Sequence, residues 1–122
     1  MADTDPLPRL WLRVRFDGAD FIGPGKAELL ERIAATGSIA AAARDMGMSY
    51  KRAWSITEAL NAMFDQALVD TARGGRGKGG AVLSPRGMAV LAAYRAVEAA
   101  ASAGAKDALV QLQSWRRPAK GD

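Results

Sequence analysis

The first patterned stretch runs from Leu10 to Phe16, where Leu10, Leu12, Val14 and Phe16 alternate with Trp11, Arg13 and Arg15. A period of two puts the first set on one face and the second on the other, which predicts a half-buried strand. Asp17-Gly18 is a turn signal and Phe21-Ile22 supplies a short return strand, so a hairpin is expected. After the punctuation of Pro24-Gly25 the period changes. From about Lys26, Leu29, Leu30, Ile33 and Ala34 recur at helical spacing until Thr36-Gly37 stops the pattern. Ser38 is placed to cap a short second helix, IAAAARDM, that ends at Gly47, and Ser49 to cap a third, YKRAWSITEALNAMF. On that third helix Ala53, Ile56, Leu60 and Met63 share one face, with Lys51, Ser55 and Glu58 opposite.

Two short strand candidates, LVDTA and AVLS, then flank RGGRGKGG, which reads as a hairpin with a long basic, glycine-rich tip. Ser84-Pro85 opens a further helix, with Ser as cap and Pro in the first position, and Met88, Leu91, Tyr94, Val97 and Ala101 form its apolar stripe. Gly104 ends or kinks it, KDALVQLQSW forms a last helical piece, and RRPAKGD is a polar, basic tail.

The stretch from Ile39 to Ile56 meets the four requirements of a helix-turn-helix. Ala43 is small where the first helix must touch the second. Gly47, four residues on, tolerates the positive φ of the turn. Ala53 and Ile56 supply the inner face of the second helix, while Ser49, Tyr50, Lys51, Arg52 and Ser55 keep its start and outer face polar. The same spacing would serve a plain helical hairpin in a bundle. What separates the two is the following segment, because a helix-turn-helix followed at once by a two-stranded hairpin with a basic tip has the element order of a winged helix. Its second helix suits the major groove, and Arg73, Arg76 and Lys78 in the tip suit phosphates or the adjacent minor groove.

Composition narrows the chemistry. With 49% hydrophobic and 25% charged residues in 122, the chain fits a single globular domain, and 17 Lys plus Arg against 13 Asp plus Glu leave +4, compatible with a polyanionic partner. No His and no Cys are present, which excludes zinc and iron–sulfur sites built on those ligands, a cysteine nucleophile, a Ser-His-Asp triad and any disulfide. Gly75 to Gly80 matches G-x-G-x-x-G, yet a strand-like AVLS follows where a dinucleotide fold needs a helix, and the Lys-Ser/Thr ending of a phosphate loop is missing. Glu28, Glu31 and Glu58 read as isolated surface carboxylates without a partner for acid–base work. No enzyme and no cofactor are expected. Charges interrupt every apolar run well before ~18 residues, and MADTDPLPRL is acidic before it is apolar, so a soluble cytoplasmic domain is expected. Trp54 and Phe64 read as core or wing-packing residues rather than stacking platforms. Tyr50 is left open between a thymine methyl, a phosphate and simple packing. Arg116, Arg117 and Lys120 read as a solubilising end.

Three segments in register carry a family resemblance: the GSI-A-A opening of the second helix, SYKRAW on the third, and the GG-x-G-x-GG tip before A-x-L-S. Over about residues 10 to 100 the chain resembles the N-terminal domain of the molybdate-responsive transcriptional regulators, the ModE family, and more distantly the DNA-binding domain of LysR-type regulators. The resemblance implies a mainly α fold with a small β wing. It also implies a homodimer formed through the long helix after the wing, recognising an inverted-repeat operator in double-stranded DNA. Ser49, Tyr50, Lys51, Arg52 and Ser55 would then lie on the recognition helix, and Arg73, Arg76 and Lys78 on the wing. The expected organisation is a lead-in over residues 1–9, a winged helix-turn-helix domain over 10–84, a helical dimerisation region over 85–115 and a basic tail over 116–122. Members of the ModE family bind molybdate in C-terminal β-domains, for which these 122 residues leave no room, so the effector is unassigned. The alternative is a winged helix that docks a separately encoded ligand-binding chain through its C-terminal helices instead of reading DNA.

Overall fold

A computed structural model describes residues 7–72 and 80–118. The chain begins with an extended segment and a minimal antiparallel hairpin, β1 (Val14–Arg15) and β2 (Phe21–Ile22), with Val14 opposite Ile22 and Arg15 opposite Phe21. The alternation in burial holds over residues 10–15, since Leu10, Leu12 and Val14 turn inward while Trp11, Arg13 and Arg15 stay exposed, but Phe16, expected with the inward set, is exposed beyond the last paired residue. Only two residues are paired, however, because β2 is two residues long and α1 starts directly after it. Phe21 is held between two cations: Lys26 Nζ lies 3.6 Å and the Arg13 guanidinium 4.2 Å from its ring centre. The Lys26 ammonium also donates to the Phe21 carbonyl at 3.0 Å, and burial lowers its pKa from the usual lysine range.

Helix α1 (Pro24–Thr36) starts two residues earlier than the apolar spacing suggests, because Pro24 takes the first helical position, where its missing N–H costs nothing. Its inner face is Ala27, Leu29, Leu30 and Ile33, all fully buried; Ala34, expected among them, is exposed one step around the helix. Helix α2 (Ile39–Met46) is capped by Ser38, whose hydroxyl oxygen accepts the Ala41 N–H at 3.0 Å. Helix α3 (Tyr50–Met63) is capped in the same way by Ser49, which accepts the Arg52 N–H at 3.0 Å. Between them Gly47 adopts φ +69°, a left-handed conformation that strains any residue with a Cβ, and Ala43 is buried where α2 meets α3. Both features stand where the sequence placed them.

Strands β3 (Val69–Ala72) and β4 (Gly80–Leu83) form an antiparallel ribbon, with Val69 opposite Leu83 and Thr71 opposite Ala81. The Ala81 N–H donates to the Gly37 carbonyl at 2.9 Å and ties this ribbon to the α1–α2 turn. Helix α4 (Pro85–Gly104) follows, then α5 (Lys106–Ser114). Ser84 caps α4 by accepting the Gly87 N–H at 3.0 Å, and its own hydroxyl donates to the Ala67 carbonyl at 2.6 Å. Gly87 has to be a glycine. A Cβ there would stand 2.1 Å from the Leu68 carbonyl oxygen, so α4 lies against the start of the ribbon at backbone distance.

One core joins α1, α2, α3, the ribbon and α4 around Leu29, Leu30, Ile33, Leu60 and Leu68. The apolar stripe of α4 divides. Tyr94 is buried and donates its hydroxyl to the Leu12 carbonyl at 2.8 Å, and Leu91 packs partly against the core, whereas Met88 and Val97 remain exposed. Arg95 binds Glu31 of α1 through both carboxylate oxygens, at 2.7 and 2.9 Å, and Glu98 at 2.7 Å; these carboxylates raise the pKa of its guanidinium. Phe64 packs edge-on against Phe16 at 5.8 Å, as a packing residue should. Among the described residues, no buried polar side-chain atom lacks a hydrogen-bond partner, no helix is long and apolar enough to cross a membrane, and no acidic cluster could hold a metal ion.

Candidate nucleic-acid interface

Helix α3 projects three lines of side chains, as expected from about 100° of rotation per residue. Ala53, Thr57 and Leu60 face the core, and the Thr57 hydroxyl donates back to the Ala53 carbonyl at 2.8 Å. Lys51, Ser55 and Glu58 lie on the opposite side and are exposed, as the sequence pattern requires. Ile56 and Met63, expected on the inner face, pack at its margin and are half-buried. On the flank toward the ribbon stand Tyr50, Trp54 and Asn61.

Asn61 defines that flank. Its side-chain oxygen accepts the N–H groups of Leu68 at 2.8 Å and Val69 at 3.0 Å, and its amide donates to the Val69 carbonyl at 3.2 Å. One residue therefore completes the backbone hydrogen bonds at the start of β3 and sets the ribbon beside the third helix.

The candidate residues on the first two turns of α3 share one open surface. Tyr50, Lys51, Arg52 and Ser55 are exposed, and so is Ser49. The Ser49 hydroxyl oxygen is occupied as a cap, which leaves its proton to donate outward. The ion pairs among the described residues engage Arg32, Arg86 and Arg95, none of them on this surface; Lys51 and Arg52 are in none of those pairs. Glu58, two turns on from Lys51, brings the opposite charge to the same line, so the surface attractive to a polyanion is confined to the start of the helix. Arg73, Arg76 and Lys78 lie outside the described residues.

Sequence reading missed two residues of this region. Asn61 is one. Trp54 is the other: it lines a common groove with Thr71, Gly80 and Ala81 of the ribbon, is 37% exposed and stacks on Tyr50, one turn before it, with ring centres 6.4 Å apart and planes at 24°. The spacing of four between two aromatics was the available signal.

A three-helix unit with a tight glycine turn, its last helix open at the start and braced by an antiparallel ribbon, is a winged helix-turn-helix, a class of DNA-binding fold. The family model for the bacterial regulatory helix-turn-helix proteins of the lysR family matches residues 25–88, more than half of the chain, and the chain belongs to that family. Among curated proteins it is 47% identical to the molybdenum-pterin-binding protein MopB of Rhodobacter capsulatus over 78 residues, 64% of this chain and 29% of the relative. It is 45% identical to MopA of the same organism over 83 residues, 68% and 31% of the two chains. With the DNA-binding transcriptional dual regulator ModE of Escherichia coli K12 it shares 42% over 74 residues, 61% and 28%. The matched stretch thus spans less than a third of the length of these relatives. Among solved structures, a CbnR_DBD-DNA complex matches with a TM-score of 0.54 and 26% identity, covering 71% of this chain and 95% of that one. The ModE and LysR resemblances read from the three sequence segments are both borne out.

Proposed function

We propose that this chain is a sequence-specific transcriptional regulator that binds an inverted-repeat operator as a homodimer, each copy laying the start of α3 in a major groove about one helical turn from the other. The observation that carries the reading is the pair Lys51 and Arg52, exposed and in no ion pair among the described residues, on the first turn of a helix braced by a β-ribbon. Ser49, Tyr50 and Ser55 complete the reading surface. Arg73, Arg76 and Lys78 are assigned to the flanking backbone, where lysine and arginine neutralise phosphates and release counterions. The site of action is the cytoplasm, with the DNA.

The pairing surface is assigned to residues 85–115. Two features support it: Met88 and Val97 are open on α4, and Ala92, Ala93, Ala96, Ala99 and Ala100 are exposed between and beyond them. Small side chains let a second helix approach closely. Sedimentation at micromolar concentration is expected to give a species of twice 12.9 kDa; the 12.9 kDa species alone would overturn the dimer.

Selection from a random duplex pool tests the main reading. Enrichment of an inverted repeat supports it, and recovery of DNA with no shared motif overturns sequence specificity. No recovery at moderate salt would favour a module that docks another protein. A parallel selection with molybdate present tests whether an oxyanion alters binding, as the molybdenum link in the relatives' names suggests.

A further inference from the structure

The wing-facing flank of α3 carries more apolar surface than packing needs. Ala53, Thr57 and Leu60 already close the core beneath the helix, yet Tyr50 and Trp54 keep 54% and 37% of their surface open. They stack on each other and, with Ser38, Ile39 and Ala40 at the start of α2 and Thr71, Gly80 and Ala81 of the ribbon, line a groove of about 340 Å³. Among the described residues no charged side chain lines this groove; its polar side-chain groups are hydroxyls and the indole N–H. Lys51 stands about 100° around the helix from Tyr50, on the outward line beside this flank, so a duplex seated on Lys51 passes the mouth of the groove.

A phosphate gains nothing from an uncharged apolar wall. A base edge does when it is itself apolar, and the one apolar group that the bases present in the major groove is the 5-methyl of thymine. We propose that Tyr50 and Trp54 are specificity-determining residues that receive thymine methyl groups in each half-site, so that the recognised sequence carries thymine where the start of α3 crosses it. The proposal rests on the regulator reading above. The i, i+4 stack holds both rings in place before DNA arrives, so little side-chain freedom is lost on contact.

The test uses the full chain and the duplex recovered from selection, with each thymine of one half-site replaced in turn by deoxyuridine, which removes only the methyl. Affinity is read by fluorescence anisotropy at fixed salt. At one or two positions wild type should bind about fourfold more weakly per methyl removed, the value of one buried carbon. Trp54→Ala should bind the thymine and uracil duplexes alike at one of those positions at least, Tyr50→Ala likewise, and both should keep the salt dependence of wild type. Trp54→Leu, which preserves bulk, covers the case in which the alanine variant fails to fold. The proposal is overturned if no single thymine-to-uracil change weakens wild type, or if the discrimination persists in the folded variants. A selection that enriches no motif fails the regulator reading first, and this proposal with it, whereas a motif indifferent to the methyl fails this proposal alone.

Discussion

Replacing Asn61 with Ala isolates the contact that sets the ribbon against the third helix. The change removes three hydrogen bonds, at 2.8, 3.0 and 3.2 Å, and leaves the N–H groups of Leu68 and Val69 without their acceptor. Both residues are buried, with 0% and 2% of their surface exposed, so those donors lose their partner in dry surroundings. Three bonds at a net 0.5–1.5 kcal/mol each, or two orphaned donors at 1–3 kcal/mol each, give overlapping ranges of roughly 1.5–4.5 and 2–6 kcal/mol. Asn61 itself is half-buried, so water reaches part of the vacated space and the lower overlap applies, about 2–3 kcal/mol. Urea unfolding followed by circular dichroism should show the midpoint falling with its slope unchanged. Glu58→Ala, an exposed change one turn earlier on the same helix, should leave the midpoint in place. A loss below about 1 kcal/mol for Asn61→Ala would refute the claim that this side chain holds the ribbon.

Gly87→Ala should destabilise by about 1–3 kcal/mol despite the better helix propensity of alanine, since its Cβ would meet the Leu68 carbonyl oxygen at 2.1 Å; a thermal midpoint equal to wild type would contradict that close approach. The Tyr94 phenol has a pKa raised from the ordinary value of 10.0, first by burial and then by the charge of Glu98. A group whose folded pKa is raised stabilises below its unfolded value, so this contribution is complete at neutral pH and is lost as pH climbs above 10. Tyr94→Phe should therefore be less stable at pH 7, by about 1 kcal/mol for the lost bond to Leu12, and should show a shallower alkaline decline in stability. Lys51→Ala should weaken operator binding by about 1–3 kcal/mol and relax one position if Lys51 reads a base, or weaken all duplexes evenly with a shallower salt slope if it meets phosphate; unchanged affinity by anisotropy removes Lys51 from the interface.

What was legible in the chain is what acts over a few residues. Ser38, Ser49 and Ser84 each cap the helix they precede, because a hydroxyl three residues before a free N–H settles the matter locally. Gly47 follows from the same short-range logic, as does the change from a helical period to two short strands. The features that were not legible depend on long-range partners. Nothing near Asn61 in sequence announces that it will meet Leu68 and Val69 across a turn. Trp54 reads as core or wing-packing, and its partial exposure depends on which face of α3 the rest of the fold covers, where Ala53, Thr57 and Leu60 are the buried residues. The α4 stripe read as one surface, but Tyr94 turns to the Leu12 carbonyl, which no local pattern could indicate, and the stripe divides between core and solvent. At the N-terminal hairpin the alternation was right about faces up to Arg15, wrong at the exposed Phe16, and silent about pairing, because pairing depends on the length of the opposite strand.

Ser84 does more than cap α4. It is the single residue between the end of β4 at Leu83 and the start of α4 at Pro85, and it is bound on both sides, to Ala67 and to the first turn of the helix. The ribbon and the long helix therefore meet at a pivot without slack. Helix α4 has 20 residues and acts as a lever about 30 Å long, so a tilt of about 5° at its base moves its far end by about 2.6 Å. In a pair joined along that helix, such a swing would alter the distance between the two reading helices. Small adjustments of the ribbon against DNA would then be geared directly to the spacing of half-sites the pair can span.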